Sequence, residues 1–456
     1  MENDKDIYGL ANYCLNLAEK KSSNLKCAEV FFATNNYINI EIEENSIKNS
    51  EIGSDFGSSI RVINKVGSLG FAYTNFLDKK SIENMVKKAI TMMNVGTTDL
   101  DFKNLPHRYE TYPKINGLFD SNIKNLQIED SIKYTEDLIK VCSEDELAIS
   151  QSANFLSNCS ERYIFNSNGL EIEGKETVCS ISSNIIVKDK VSKETSFGYE
   201  WQSKRNLNEI NATEIAKNAL LDAKLNLNRI KIKSKKTPLI LTPKGTINLI
   251  LSPLASAVNA ETYQYKRSFL IDKKDKIIGS EHLNVEDDAL IERSTGSLEF
   301  DGEGVPCKNK KIVESGKFVQ LLYNSYTAGK DGVESTGNAS RSSYSSVPSI
   351  GISNFIMKSG DLSKVEMIST TKEGILFDYT GDSPNIATGD FSGLILHGNI
   401  VKNGEIKESL NETMIGINLL DLFKSIEAVS KDFSVYGSYK APYVKIKDVQ
   451  IIGSAN

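Results

Sequence analysis

The side chains of this 456-residue chain that are best suited to recognition chemistry concentrate between Phe300 and Phe355. Asp301 and Glu303 lie among glycines in Phe300-Asp301-Gly302-Glu303-Gly304-Val305-Pro306, where the backbone can take turns that other residues disfavour. Downstream, Ser335-Thr336-Gly337-Asn338-Ala339-Ser340-Arg341-Ser342-Ser343-Tyr344 gathers hydroxyls, an amide and one guanidinium, a set able to hydrogen-bond a polar ligand backbone. The same residues also suit two turn-rich surface loops.

Covalent or metal chemistry finds less support. Zinc hydrolysis needs several nitrogen, sulfur or oxygen ligands on one ion, an open position for water and a carboxylate for its proton. The three histidines, His107, His282 and His397, are too far apart to form a ligand pair on one helix. The six cysteines, Cys14, Cys27, Cys142, Cys159, Cys179 and Cys307, contain no C-x-x-C pair and suit reduced, mostly buried thiols. Gly389-Asp390-Phe391-Ser392-Gly393 has its serine in the wrong position for a nucleophile elbow, and Asp301-Gly302-Glu303 lacks calcium-loop spacing. Neither a Walker A sequence nor a strand followed by G-x-G-x-x-G is present. Cys307 with His282 or His397 is the one thiol and base combination left open, against the plainer reading of Cys307 as a buried residue.

The two motifs, together with Thr388-Gly389-Asp390-Phe391-Ser392, Asn403-Gly404-Glu405-Ile406 and Asn166-Ser167-Asn168-Gly169, follow one another over most of the chain. In this the sequence resembles the TldD/PmbA family, whose members are subunits of a cytoplasmic metallopeptidase. The resemblance implies that a metal-bearing relative would carry H-E-x-x-x-H within the stretch from Ile247 to Glu261, and a cysteine near Val435 to Tyr439. Here the first stretch has no histidine and the second no cysteine. The chain therefore resembles a TldE/PmbA-type subunit with no catalytic or metal-binding residue of its own. A TldD-like H-E-x-x-x-H homologue would supply the zinc in a heterodimer. The resemblance further implies that Asp301, Glu303, Asn338, Arg341 and Tyr344 line, or orient the lining of, a cavity for unfolded peptide. Arg341 could pair there with Asp301 or Glu303, or meet a peptide carboxylate as a charge-assisted fork. Extended peptides held through their backbones would be accepted with little regard to side chain. The alternative reading is a non-enzymatic, peptide-binding homodimer, the class to which the older description of the family as a modulator of DNA gyrase belongs.

Several elements must position these residues. Length alone predicts two or more domains, and the Lys-rich stretch before Pro238 divides residues 1–230 from 231–456. The fold class expected is α+β. In the first domain, helix, antiparallel strands, helix occurs twice, as an internal duplication would produce. Helical spacing runs from Ile7 to Lys20, from an Asp78 cap through Met93, from Ile128 to Cys142, and from Ala212 to Lys224 with Asn211 as N-cap and Glu214 closing a capping box. Strands are expected at Ala28–Ala33, Ile38–Ile42, Leu147–Ala153, Arg162–Phe165, Glu176–Val187 and Ser196–Trp201. The second domain reads as mainly antiparallel β, after a strand at Pro238–Thr242 and a helical segment from Lys244 to Ala260 interrupted by Pro253. A formal net charge of -6 argues against a nucleic-acid partner, and Lys231 to Lys236 reads as a solvated linker. The polar start, Met1 to Asp6, lacks the features of a secretory signal, and no apolar run approaches membrane-spanning length, so a cytoplasmic location without membrane contact is expected.

Overall fold

The alternating isoleucines Ile38, Ile40 and Ile42 belong to a strand that extends well beyond them, β1 (Leu25–Glu43). The chain reverses at Glu44 and Asn45, both at positive φ, into β2 (Ser46–Asn64), and β3 (Leu69–Thr74) follows. The computed structural model describes residues 6 to 455, so the polar start from Met1 to Lys5 lies outside the described residues. With β4 (Ala148–Asn166), β5 (Glu171–Lys188) and β6 (Thr195–Lys204), these strands form a six-stranded antiparallel sheet in the order β3-β2-β1-β4-β5-β6. The two strands expected near Leu147 and Arg162 are one. Asn154 to Glu161 pairs continuously with β1 and β5, and its Asn154, Asn158 and Ser160 lie on the face turned away from the helices.

One face of this sheet is covered by α1 (Ile7–Lys21), α2 (Lys79–Val95), the short α3 (Ser121–Lys124), α4 (Ile128–Ser143) and α5 (Ala212–Leu225). Ala28, Val30 and Phe32 meet α1 and α2, whereas Ile38, Ile40 and Ile42 meet α4 and α5. Both expected caps form: Asp78 accepts from the Ser81 amide, and Asn211 from the Glu214 amide, each at 3.0 Å. The Asn211 box closes through its side-chain amide on Glu214 at 3.1 Å, because its backbone N–H donates to Gln202.

The architecture repeats as the sequence pattern suggested: helix, two long strands, a short outer strand, helix, on each side of the central β1 and β4 pair. The repeat extends to its closest packing. Gly70 on β3 faces the backbone of α2, and Gly198 on β6 faces the backbone of α5. A Cβ would lie 1.8 Å from the Ala89 carbonyl oxygen at the first and 2.0 Å from that of Ala219 at the second. Hydrogen in place of a side chain is what lets each helix close on its sheet edge.

The second half is built on a twelve-stranded sheet whose central strands include β7 (Lys235–Leu241) and the long Tyr439–Ile452. Most ladders are antiparallel, but β7 runs parallel to Glu373–Tyr379, and Phe355–Met357 runs parallel to Tyr439–Ile452, so the sheet is mixed. The Lys-rich connection leads directly into β7, with Lys231 and Lys235 paired to Glu412 and Glu373. After β7 a continuous helical segment runs from Pro243 to Ala257, with a π turn over Ile247–Leu251. Pro253 ends no helix. It lies in the first turn of the stretch after the π turn, where the Ser252 amide reaches the Ile247 carbonyl. No described helix is long and apolar enough to cross a membrane.

Adding a methyl group at the two helix-facing glycines forces backbone to move. Gly70→Ala and Gly198→Ala should each lower stability by about 1–3 kcal/mol in urea titrations followed by circular dichroism. Gly416→Ala, where a Cβ meets nothing within 4 Å, should remain near the parent value.

Candidate functional site

Strand alternation sends Glu29, Phe31, Ala33 and Asn35 of β1 to the face opposite the helices, where the second half of the chain packs. Glu29 stands directly across from Arg61 on β2, and both are buried. Arg61 Nη2 contacts Glu29 Oε2 and Glu303 Oε1, each at 2.9 Å. The other oxygen of Glu29 accepts from Arg341 Nη2. The four groups form an alternating series, Glu303, Arg61, Glu29, Arg341, that is neutral overall and joins the sheet to both motif loops.

Each motif residue has a defined place. Asp301 accepts three backbone amides: Glu303 at 2.9 Å and Val305 at 3.0 Å on one oxygen, and Ala339 at 2.9 Å on the other. It thereby fixes the turn at Gly304 (φ 81°) and ties the two motifs together. Burial pushes the Asp301 carboxyl up to about 7, and the Glu303 charge adds to this. Burial acts on Glu303 as well, but the Arg61 guanidinium and the Ser325 amide outweigh it and hold that carboxyl below its usual range. Asn338 is fully engaged, donating to Asp287 (2.8 Å) and to the Gly351 carbonyl (2.9 Å) while accepting from Lys310 (3.1 Å) and Thr336 (2.7 Å). Arg341 pairs with Glu29, and not with Asp301 or Glu303 as the sequence left open. Its Nε donates to the Gly302 carbonyl at 2.7 Å, and its guanidinium lies 4.6 Å from the Phe31 ring centre. Tyr344 covers Gly57, donates to Asp55 at 3.3 Å and meets the Tyr73 ring edge to face.

Between the sheet and these loops lies a cleft of about 620 Å³. Its sheet wall presents Ala33, Asn35, Asn158, Ser160 and Arg162, and its opposite wall carries Gly302, Asn338, Ser340, Arg341 and Tyr344. Asp301 also reaches the lining, whereas Glu303 lies behind it and acts through Arg61. The loop at Thr295 to Leu298 forms a rim, and Arg205, at the end of β6 and wholly buried, clamps it. Its guanidinium donates to the carbonyls of Ser294 (3.0 Å), Thr295 (2.8 Å) and Ser297 (2.9 Å) and pairs with Glu176 at 2.8 Å.

Sequence reasoning missed Glu29, Arg61, Arg162, Glu176 and Arg205. The one signal available was a charge inside an apolar strand run, as in Cys27-Ala28-Glu29-Val30-Phe31-Phe32 and Ser59-Ile60-Arg61-Val62-Ile63. The thiol and base combination does not form. Cys307 is buried, its Sγ points to the Gly337 carbonyl at 3.5 Å, and burial pushes the thiol up to about 12. The helix from Pro243 to Ala257 presents Leu249, Leu251, Leu254 and Ala257 to the core, side chains that carry no metal-ligating atom.

Two measurements check this arrangement. Arg61→Ala leaves Glu29 and Glu303 buried with part of their compensation gone and should cost about 3–5 kcal/mol of unfolding free energy. The raised Asp301 carboxyl takes up a proton on folding between about pH 4 and pH 7. Its contribution to stability is greatest at the acid end and declines as pH rises through that window. In Asp301→Asn the unfolding free energy should lose this component of its pH slope.

Comparison with known proteins agrees with the geometry. Three family models match in order: PmbA/TldA metallopeptidase domain 1 over residues 28–92, the central domain over 121–227 and the C-terminal domain over 234–453. An uncharacterized protein of Methanocaldococcus jannaschii is 31% identical over 92% of this chain and 95% of its own length. A metalloprotease PmbA homolog of Buchnera aphidicola is 28% identical, with 95% of each chain covered. The crystal structure of TldE from Thermococcus kodakarensis superposes with a TM-score of 0.88 at 22% identity, covering 97% of this chain and 100% of that one. A Bacteroides thetaiotaomicron structure described as a candidate modulator of DNA gyrase gives 0.88 at 25% identity, with both chains fully covered. By the family matches along its length and the fold that accompanies them, the chain belongs to the PmbA/TldD metallopeptidase family.

Proposed function

We propose that this chain is the TldE/PmbA-type subunit of a cytoplasmic two-subunit metallopeptidase. In that reading it contributes one wall of a peptide-binding chamber while an H-E-x-x-x-H homologue supplies the catalytic zinc. The observation that carries the reading is the cleft between the sheet and the two motif loops, combined with the apolar donor set of the Pro243–Ala257 segment. A family motif that builds a polar cleft, beside a helix that has lost its ligands, fits a subunit that binds but does not cleave.

The chemistry of the cleft favours the peptide backbone over side chains. Most polar groups of the Ser335–Tyr344 motif are spent on internal hydrogen bonds. What the cleft offers a ligand is the sheet wall of Asn35, Asn158 and Ser160, with Arg162 at its edge; Asn35 donates to Asn158 at 3.3 Å and accepts from Ser160 at 2.9 Å, which leaves each amide a spare N–H and a spare lone pair. Such groups pair with amide N–H and C=O of any extended segment, and a folded domain does not fit a space of about 620 Å³. Unfolded peptides are the substrate class this supports.

The test is peptidase activity toward an unstructured protein with this chain alone, the H-E-x-x-x-H homologue alone and the two co-expressed, each with and without chelator. Activity is expected in the co-expressed, unchelated sample above either chain alone. Ala33→Trp, which fills the sheet wall of the cleft, should raise KM for peptide several-fold while the subunits still co-purify. If the two chains neither associate nor gain activity together, the reading fails and a peptide-binding homodimer takes its place.

A further inference from the structure

A second seam between the halves of the chain shares no lining residue with the cleft. There Asp222 on α5, Asp378 on the strand Glu373–Tyr379 and His397 at the head of the strand His397–Lys402 converge. Each can offer one ligand atom, and the three atoms lie within 4.8 Å of one another. No other group of three or more histidine, cysteine or acidic side chains this close occurs among the described residues. We propose that Asp222, Asp378 and His397 bind one divalent first-row transition ion, zinc for preference, as a structural tie between α5 and the second sheet.

The first ground is an incomplete histidine. His397 is 3% exposed, its Nδ1 lies 3.3 Å from Asp222 Oδ2, and its Nε2 is buried with no hydrogen-bond partner. In the neutral form with the proton on Nδ1, an unshared pair is left buried and unused. In the protonated form, an N–H is left without an acceptor, and either deficit costs free energy. His397 thus keeps one buried ring nitrogen without a protein partner beside two carboxylates, a donor that an ion can take.

The second ground is charge. Lys244 stands at the edge of the group: its Nζ donates to the Tyr199 carbonyl at 2.6 Å and pairs with Glu200 at 3.3 Å, and its charge also acts on Asp378 and Asp222 without a direct salt bridge to either. Asp222 and Asp378 thus share a small space opposite one imidazole. A divalent ion would bond to both.

The third ground is preorganisation. Thr242 donates to Asp378 at 2.5 Å, while Asn226 and the Tyr199 amide donate to Asp222 at 3.1 and 3.2 Å. The imidazole is flanked by the Phe197 ring, centre to centre 4.4 Å. Two oxygens and one nitrogen suit zinc or manganese, and the imidazole together with only three protein donors favours zinc, whose fourth position water can fill. The sequence expectation of no metal in this chain rested on the Ile247–Glu261 stretch, the C-terminal region and the wide spacing of His107, His282 and His397. It did not consider residues that only the seam brings together.

The experiment uses the full chain purified without partner, stripped with chelator and dialysed, then titrated calorimetrically with zinc chloride and separately with manganese chloride. Zinc is expected to bind at one equivalent per chain and to raise the melting temperature, with manganese binding more weakly. Asp378→Asn and His397→Gln should each weaken zinc binding at least tenfold, whereas Cys307→Ser should leave it unchanged. Should either variant lose the far-ultraviolet dichroism of the parent, Asp222→Asn, at the more exposed edge of the trio, replaces it. Absence of saturable zinc uptake by the parent overturns the proposal, as does uptake that persists unchanged in the folded variants. Neither a partner nor a peptide enters the measurement, so its failure leaves the proposed peptidase role untouched.

Discussion

Four charged side chains buried in one line govern how the two halves of this protein meet. Glu303, Arg61, Glu29 and Arg341 alternate in sign, and each interior member touches two neighbours of opposite charge. Within each half, one carboxylate and one guanidinium would have to leave water with only part of their compensation. Desolvating such groups costs several kcal/mol each, and the cost is offset only when the whole series closes. The series therefore acts as a registration device. A displaced packing of the motif loops on the sheet would strand a charge, whereas apolar surfaces alone would tolerate slippage.

The cleft follows from the same constraint. Because β1 turns the charged Glu29 toward the second half, that face of the sheet cannot be filled as a simple apolar core. Phe31, Ile164, Leu170 and Phe300 make a small apolar plug beside the ion series, and the polar residues farther along β1 and β4 are left lining open space. Gly304 admits the Leu170 side chain that seals this plug, which links the Asn166-Ser167-Asn168-Gly169 hairpin physically to the Asp301 turn. Motifs that lie far apart along the chain are thus parts of one packing problem. Their polar groups mainly hold the cleft open in a fixed shape, and contact with a ligand falls to the plainer residues of the strands.

The second half reveals a different use of the same scaffold. The segment from Pro243 to Ala257 occupies the heart of its core, and its inward side chains are leucine, isoleucine and alanine. These side chains carry no metal-ligating atom. Polar chemistry is displaced to the beginning of that segment, where Thr242 and Lys244 reach toward Asp378 and Glu200 at the seam with α5 and β6. The seam at the cleft closes its charges with arginine. The seam at Asp222 and His397 leaves an imidazole nitrogen unspent.

What the sequence determined by itself was local. Helical spacing, the Asp78 and Asn211 caps, the Asn168-Gly169 turn and the alternation on β1 depend on neighbours within a few residues, and all appear where those rules place them. The family was legible for a related reason: its motifs are short, and turns demand glycine, asparagine or serine at fixed positions. Strand length escaped, because a polar stretch such as Asn154 to Glu161 becomes strand only when β1 and β5 lie on either side of it. The roles of the motif residues escaped as well. Nothing near Arg341 in the chain announces that its partner is Glu29, and nothing near Arg205 announces the rim it clamps. Ion pairs between distant residues depend on which faces the folded sheet turns toward each other, a property of the assembled pair of layers that no stretch of sequence carries alone.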